Sequence, residues 1–305
     1  MTFHQRSVFD DFICCSDSTL LLDILPERLA MNSFSLINKE VIWSEMYLKG
    51  SVVPRLVCIQ GTISVDHIEP IYRHPADFHP ELTIWTPAMQ EIRDIVSERL
   101  KSEINHALIQ LYRSGHDSIG EHSDKTLDIA RGSSVMTLSL GAKRTLILRS
   151  KLKSIKDPGS KKASGGPRRE VWKIPLPHNS LFILGSVTNG LYMHSIKEDN
   201  RLPSLKTAEE VAFGGQRISL TFRCISTFYD RKSGHLLGQG APRESTDTSC
   251  SLSQSDKSND KEMIDDYNRL LCAFSAENKL VDFDWDHYYG SGFRHTGIKH
   301  RRNNS

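Results

Sequence analysis

The stretch RISLTFR, residues 217–223, alternates polar and apolar side chains. Neighbouring side chains of a strand point to opposite faces, so this segment would carry one apolar face and one face with an arginine at each end. The polar face comprises Arg217, Ser219, Thr221 and Arg223, and the apolar face comprises Ile218, Leu220 and Phe222. One possibility is an edge strand with solvated arginines. The other is a strand that packs on a core while its arginines line a barrel interior, an arrangement that requires bound anions.

Further strand-like runs lie on the N-terminal side of this stretch. They cover residues 106–112, 134–140, 144–150 and 179–185, and turn residues separate them. Another strand candidate ends at Gly61, and WTPAMQEIRDIVSERLKSE (85–103) predicts a helix with Thr86 as N-cap and Pro87 in the first helical position. Short strands separated by turns favour an α+β chain whose mainly β core is a sandwich, a barrel or a jelly roll.

The composition is that of an ordinary globular chain, with 305 residues, 38% of them hydrophobic, and a net charge of +2. Because the net charge is small, an argument for nucleic-acid binding has to rest on local patches. No apolar run approaches about 18 residues and the N-terminus has no apolar leader, so we expect no membrane span and no secretion. Six cysteines without a CxxC pair indicate a reducing compartment, the nucleus or the cytoplasm, and no structural zinc.

The segment GEHSDKTLDI, residues 120–129, holds a histidine and an aspartate two positions apart. At the end of a strand, His122 and Asp124 would point to the same face and could bind one metal ion together. A second histidine from a distant strand would complete a triad of two histidines and one carboxylate with open positions, which is typical of non-haem Fe(II) oxygenases. The chain has 13 histidines, so this spacing alone is weak evidence, and solvated polar residues are the alternative.

The choice of the third ligand rests on placement along the chain. His194, in NGLYMHSI, lies after one apolar strand and before another, and we predict that it completes the triad. His178 fits a turn before a strand, and His235 follows the last core strand. Asp128 lies too far along an extended segment to share the same metal.

A metal triad beside a strand with two arginines suggests 2-oxoglutarate (2OG) as cosubstrate. Its keto-acid end would chelate iron, and its far carboxylate would need a guanidinium, which binds carboxylates through two parallel hydrogen bonds. Six residues of strand span ~20 Å, so arginines at both ends could lean inward around a short dicarboxylate.

Three stretches of the sequence resemble the AlkB-like Fe(II)/2OG dioxygenases. They are LIQLYRSGHDSIGEHSDK (108–125), NSLFILGSVTNGLYMHSI (179–196) and QRISLTFR (216–223), and the resemblance covers roughly residues 52–228. It implies a double-stranded β-helix (jelly roll) with flanking helices. It also implies Fe(II), 2OG and O2 as cofactor and cosubstrates, with His122, Asp124 and His194 as the iron ligands.

The same resemblance implies the residues around 2OG, which are Tyr112, Arg217 and Arg223, with Arg217 on the far carboxylate. The family has asparagine two residues before the tyrosine, where this chain has Gln110. The longer side chain places its amide one methylene further from the backbone, so its contact with 2OG need not be the family's.

Composition and resemblance together divide the chain into four parts. We predict an N-terminal lead-in over residues 1–51, an AlkB-like dioxygenase domain over 52–230, a flexible serine-rich linker over 231–262, and a C-terminal tail over 263–305 that packs on the core. The domain would comprise a substrate lid over residues 52–100, a catalytic core over 101–230, and a basic loop over 143–173 with eleven lysines and arginines. In the tail, DFDWDHYYGSGF predicts a half-buried strand or docking segment rather than a metal site.

The resemblance makes oxidative dealkylation of an N-alkylated base in DNA or RNA the first hypothesis. The base would be single-stranded or flipped from a duplex, the basic loop would contact phosphates, and Arg55 and Tyr72 in the lid are candidate substrate contacts. A second hypothesis is a dioxygenase that acts on a small metabolite or a protein side chain, without salt-dependent binding of oligonucleotides. A third is a catalytically silent module that binds nucleic acid or protein, which failure to bind iron would favour. We expect a monomer.

Overall fold

The computed structural model describes residues 14–78, 80–152, 169–243 and 256–296. The strands are β1 Thr19–Leu21, β2 Tyr47–Leu48, β3 Ser51–Val52, β4 Leu56–Gly61, β5 Ile68–Pro70, β6 Leu82–Ile84, β7 His106–Tyr112, β8 Ile119–His122, β9 Val135–Gly141, β10 Arg144–Ser150, β11 Val171–Leu176, β12 Ser180–Leu184, β13 Tyr192–Ile196, β14 Arg217–Arg223, β15 Thr227–Asp230 and β16 Leu236–Gly238. The α-helices are α1 Glu27–Glu40, α2 Pro87–Leu100, α3 Ser186–Leu191, α4 Ala208–Val211, α5 Asp256–Lys279 and α6 Trp285–Tyr289, and the 3₁₀ helices are Pro203–Leu205 and Ala212–Gly215.

The strand with two arginines, β14, lies in the middle of a seven-stranded sheet with the order β1-β12-β9-β14-β7-β4-β6. It pairs antiparallel with β7 on one side and with β9 on the other, and all seven of its residues are buried. The alternative of an edge strand with solvated arginines is therefore wrong. Its polar residues are buried as well as its apolar ones and line an internal cavity, so the polar face points into the interior.

A second sheet of four strands, in the order β11-β10-β13-β8, completes the β core. Apolar residues from both sheets form one buried cluster, which includes Tyr112 and Phe182 from the large sheet and Leu148 and Ile196 from the small one. The fold is a mainly β jelly roll with flanking helices, as we predicted.

Two helices cover the outer face of the large sheet. The apolar face of β14 packs with Phe34 of α1 and with Met89 and Ile92 of α2 in a single cluster. The helix predicted from its N-cap is confirmed, because Thr86 is the N-cap of α2 and Pro87 is its first residue. The period-two pattern of β14 thus separates a helix-covered face from an interior face.

Residues 19–40, which we assigned to a lead-in, are part of the large sheet and of the core that the helices cover. β1 pairs with β12 at the edge of the seven-stranded sheet, and Phe34 and Ile37 of α1 are buried in the core. A strand of three residues is too short to show a periodic pattern, so its pairing could not be read from the sequence.

The predicted linker and basic loop overlap regular structure at their ends. β16, within the predicted linker, pairs with β15, whereas residues 244–255 lie outside the described residues. β10 and β11 lie within or overlap the ends of the basic loop and pair with each other, and residues 153–168 of that loop also lie outside the described residues.

The C-terminal tail packs on the body through α5 and α6. Leu127 shares a buried cluster with Leu270, Phe274, Tyr289 and Phe293. We predicted residues 282–293 as a half-buried strand or a docking segment. The strand alternative is wrong, because Trp285–Tyr289 form the helix α6, in which Asp284 is the N-cap and accepts a hydrogen bond from the His287 backbone N–H at 3.0 Å. The docking alternative agrees with the burial of Tyr289 and Phe293 against the body. None of the helices in the described ranges is long and apolar enough to cross a membrane.

Candidate active site

The structure brings the predicted triad together at the end of β8, beside β13. His122 is the last residue of β8, and it lies directly opposite His194 in β13. Asp124 follows His122 by two residues, and its Oδ1 atom lies 3.9 Å from Nε2 of each histidine. Within the described residues, this is the one group of three histidine, cysteine or acidic side chains whose ligand atoms are close enough to share a metal, all within 4.8 Å.

The position of His194 differs in one respect from our expectation. We placed it between two strands, but it lies inside β13, where Leu148 of β10 pairs with it from the other side. β13 has the sequence YMHSI, in which the adjacent Tyr192 and Met193 and the distant Ile196 do not alternate with polar residues, so the sequence hid the strand.

The rival ligands have other partners. The backbone N–H of Gly141 donates to His178 Nδ1 at 3.0 Å, and His178 Nε2 lies 3.0 Å from the carbonyl of Ala30. His235 is exposed in the turn between β15 and β16. Asp128 forms a fully buried ion pair of 2.6 Å with Arg73. None of these three residues lies with the triad, which agrees with the choice of His194 as the third ligand.

The protonation states of the triad suit a divalent cation. Burial lowers the pKa of both His122 and His194, so both rings are neutral at physiological pH. Burial opposes ionisation of Asp124, but the Arg223 guanidinium beside it outweighs burial and holds the pKa of that carboxyl below its usual range. Metal ligands must be neutral imidazoles and ionised carboxylates, and the site supplies both.

Neighbouring groups orient two of the three ligands, His122 and Asp124. His122 Nδ1 donates to the carbonyl of Gly120 at 2.8 Å, which leaves the Nε2 lone pair directed at the shared centre. Arg223 Nη2 donates to Asp124 Oδ2 at 3.0 Å. The Asn189 amide makes two hydrogen bonds of 2.9 Å with the backbone N–H and carbonyl of Asp124.

The polar face of β14 lines a cavity that begins at the triad. Arg217 is 0% exposed, and its Nη2 donates to Ser139 Oγ at 2.8 Å. Its Nε and Nη1 atoms have no hydrogen-bond partner in the structure described. Burial lowers the pKa of Arg217 to about 10, so the side chain still carries its charge near neutral pH. A buried, charged guanidinium with two unpaired donors is costly unless an anion binds there.

Tyr112 and Gln110 border the same cavity from β7. Tyr112 pairs with Arg217 across the two strands, and Gln110 pairs with Ser219. The Nε2 atom of Gln110 is buried without a hydrogen-bond partner. The cavity is lined by Leu108, Gln110, Tyr112, Ile119, His122, Asp124, Val135, Thr137, Leu146, Leu176, Phe182, Leu184, His194, Ile196, Arg217, Ser219, Thr221 and Arg223.

The two candidate substrate contacts lie below the surface. Arg55 is 6% exposed and donates to the carbonyl of Ser118 at 3.0 Å. Tyr72 is 8% exposed, its hydroxyl accepts a hydrogen bond from the Lys125 N–H at 3.0 Å, and Arg223 lies over its ring at 4.1 Å. In this arrangement, both residues support the walls of the site and leave little surface for a stacked base.

Two residues of the site escaped the sequence analysis. Ser139 lies in β9 opposite β14, and Asn189 lies in α3. Neither position has a distinctive spacing to the histidines or arginines, and Asn189 precedes a glycine, which is typical of a turn. Their roles depend on which strands become neighbours.

Comparisons with known proteins agree with this geometry. A sequence model of the 2OG-Fe(II) oxygenase superfamily, named for its cosubstrate and its metal, matches residues 17–223. The DNA oxidative demethylase ALKBH2 of Homo sapiens is 33% identical over 141 residues, which cover 46% of this chain and 47% of that protein. The alpha-ketoglutarate-dependent dioxygenase alkB homolog 3 of Homo sapiens is 29% identical over 141 residues, or 46% of this chain and 43% of that protein.

The solved structure of OsALKBH1 aligns over 68% of this chain and 98% of that chain, with 14% identity and a TM-score of 0.42. This chain spans about half the length of the curated relatives it matches. The superfamily match covers residues 17–223, well over half of the chain, and the chain therefore belongs to the 2OG-Fe(II) oxygenase superfamily.

Proposed function

We propose that this chain is an Fe(II)- and 2OG-dependent dioxygenase that removes N-linked alkyl groups from bases of DNA or RNA. The observation that carries the proposal is the pairing of a His-Asp-His triad with a buried arginine in one cavity. The two unpaired donors of Arg217 require an anion at the end of β14 opposite to the triad. A dicarboxylate such as 2OG would chelate a metal held by the triad at one end and bind Arg217 at the other.

His122, Asp124 and His194 would hold the iron in this proposal. A triad of two histidines and one carboxylate is a donor set that suits Fe(II) and would leave room for 2OG and O2. Bound Fe(II) would supply the activation of O2, in which 2OG would become succinate and CO2 while an alkyl carbon of the substrate is hydroxylated. A hydroxylated N-methyl group then leaves the base as formaldehyde.

The residues around 2OG would each have a distinct role. Arg217 would bind the far carboxylate, and Ser139 would hold the guanidinium in place. Tyr112 lies beside it across the strand pair, and Gln110 has an unpaired amide N–H₂ available for the cosubstrate. Arg223 would act at the other end, where it orients Asp124 and faces the cavity.

A nucleic-acid substrate fits the charges at the mouth of the site. Glu121 directly precedes His122, and it forms ion pairs with Arg149 at 3.0 Å and Arg169 at 3.8 Å. Both arginines are partly exposed. In the proposal, these two arginines would contact phosphates of the substrate. Phosphate contacts hold a nucleic-acid strand in register while a base enters the site. Arg55 and Tyr72 would act on the substrate indirectly, through the walls that they support.

Two further parts of the proposal concern the protein as a whole. We expect it to act as a monomer, since one chain contributes all three ligands and both arginines. We also expect it to act where DNA and RNA are found, in the nucleus or the cytoplasm, and the free thiols at five cysteines of the described residues suit a reducing compartment.

The test is succinate formation by purified protein with Fe(II), ascorbate and 2OG. Methylated single-stranded and double-stranded oligonucleotides are compared with a panel of small metabolites. We expect methylated oligonucleotides to raise turnover, and we expect Asp124→Ala to abolish it. Asp94→Ala, an exposed aspartate of α2, is the matched control and should retain full activity. Turnover by Asp124→Ala at the wild-type rate would disprove the ligand set, and stimulation by metabolites alone would disprove the substrate class.

A further inference from the structure

The segment between β8 and the buried Leu127 has an unusual pattern of hydrogen bonds. We call residues 123–126 the metal loop, because Asp124 lies within it. β8 is an edge strand of its sheet, so the chain that follows has no neighbouring strand to satisfy its backbone. Each backbone N–H of the metal loop is instead bound by a side chain: Ser123 by Asn278, Asp124 by Asn189, Lys125 by Tyr72 and Thr126 by Glu277.

Two of these four side chains come from the C-terminal end of α5. The Asn278 side-chain oxygen accepts from the backbone N–H of Ser123 and from its hydroxyl, both at 3.0 Å, and also from the Lys125 ammonium. All three partners are donors, which fixes the orientation of the amide. One oxygen atom therefore holds the residues on both sides of Asp124.

Glu277 makes the second set of contacts. Its Oε1 atom accepts from both the backbone N–H and the hydroxyl of Thr126, and its Oε2 atom accepts from the Tyr289 hydroxyl at 2.6 Å. Its backbone carbonyl accepts from the ammonium of Lys151, the residue that follows β10. β10 pairs with β13, the strand of His194. The same turn of α5 thus contacts the loop of Asp124 and the end of the strand beside His194.

These contacts come from outside the region that matches the superfamily, which ends at residue 223. Ser123, Asp124 and Lys125 are all nearly fully buried. A buried N–H that loses its acceptor costs about 1–3 kcal/mol, so the loop would move rather than keep this path without its partners. Asn189 also holds the N–H and carbonyl of Asp124, and Gln239 and Trp285 donate to the carbonyl of Thr126. The backbone N–H groups that depend on α5 are those of Ser123 and Thr126, at the two ends of the metal loop, and their release would shift Asp124 between them.

We propose that Asn278 and Glu277 are positioning residues for the metal site, which hold the metal loop so that Asp124 faces the two histidines. The inference rests on the proposed function, in which the triad binds Fe(II). Neither residue belongs to the triad or lines the cavity; each acts through the backbone of the loop. Loss of Asn278 should therefore weaken metal binding before it disturbs the 2OG pocket on β14.

The experiment measures Fe(II) affinity under anaerobic conditions by competition with a coloured chelator, with full-length protein. Asn278→Ala should weaken Fe(II) binding by about 10–100-fold, the range for loss of a group that orients a metal ligand. Asn278→Ser, whose hydroxyl is too short to reach Ser123 and Lys125 together, should do the same. Asn278→Asp keeps an oxygen in the same place and should bind Fe(II) within about three-fold of wild type.

Asn268→Ala is the matched control, because Asn268 is exposed on the same helix and the substitution is the same. It should leave Fe(II) affinity unchanged. At saturating Fe(II), the KM for 2OG in Asn278→Ala should stay within about three-fold of wild type, since Arg217 lies on β14 and not in the metal loop. The value of kcat should fall, because Asp124 is displaced.

The outcomes separate this inference from the proposed function. Folded Asn278→Ala and Asn278→Ser that bind Fe(II) as tightly as wild type would overturn the positioning role. A similar loss of affinity in Asn268→Ala would overturn it too, since the effect would be general to α5. If wild type binds Fe(II) no better than Asp124→Ala, the proposed function itself fails.

Discussion

Arg217 shows how much of this site depends on single side chains. The guanidinium is completely buried, and its Nη2 atom donates a hydrogen bond to Ser139. A lysine at this position would present one rotatable ammonium instead of a planar fork. The geometry of the fork, and not the charge alone, is what a carboxylate requires.

We expect Arg217→Lys to raise the KM for 2OG by about 10–100-fold, because one charge-assisted hydrogen bond contributes about 1.5–3 kcal/mol. The value of kcat at saturating 2OG should change less. Initial rates of succinate formation over a range of 2OG concentrations measure both constants.

The control for this prediction is Arg28→Lys, an exposed arginine of α1. It should leave both constants unchanged. An unaltered KM in Arg217→Lys would show that the far carboxylate binds elsewhere.

At the scale of elements, the end of β9 sets the position of β14. Gly141, the last residue of β9, has a φ of +100°, and its N–H donates to His178. A Cβ atom there would overlap the carbonyl oxygen of Gln216, the residue before Arg217. The close approach of these two strands, which places the first arginine, therefore depends on the absence of a side chain.

We expect Gly141→Ala to destabilise the protein by at least about 2 kcal/mol more than Gly132→Ala, since the backbone of Gln216 has to move. Gly132 has a φ of +79° but open space around it, so it reports the cost of the backbone conformation alone, about 1–2 kcal/mol. Denaturant unfolding of both variants measures the difference. Equal losses of stability would mean that the contact with Gln216 relaxes freely.

At the scale of the whole molecule, one buried arginine joins the C-terminal tail to the body. Arg73 pairs with Asp128 at 2.6 Å with both side chains 0% exposed. Its Nη1 atom donates to the carbonyls of Phe293 and His295, and its Nη2 atom donates to that of Gly240. Three distant parts of the chain thus meet at one guanidinium, next to the segment that carries the metal loop.

We expect Arg73→Leu to destabilise the protein by about 3–5 kcal/mol, because it leaves the Asp128 carboxylate buried without a countercharge and with the backbone N–H of residue 73 as its remaining donor from this position. The tail should also become sensitive to limited proteolysis. Arg93→Leu is the control, since Arg93 pairs with the half-exposed Asp94 and its loss should cost no more than about 1 kcal/mol. Thermal unfolding and digestion time courses measure the two effects. A tail that resists the protease as it does in the wild type would contradict this role of Arg73.

The apolar and alternating runs located several of the core strands, although they missed β13. The runs 106–112, 144–150 and 217–223 coincide with β7, β10 and β14. Alternation is a local property, since each strand buries one face whatever its neighbour is. The sequence did not reveal β1, because its three residues carry too little pattern. The residues that lead into α6 alternate as a strand would, but the cap at Asp284 favours a helix.

The sequence by itself determined the chemistry available: two histidines, a carboxylate and two arginines, each on a strand or next to one. Tertiary structure alone decided which of these groups meet and what holds them. His122 and His194 face each other because β8 and β13 pair, and Ser123 reaches Asn278 across 155 residues of chain. Local patterns record the burial of one face, whereas contacts between distant segments depend on the path of the whole chain, which no short stretch of sequence encodes.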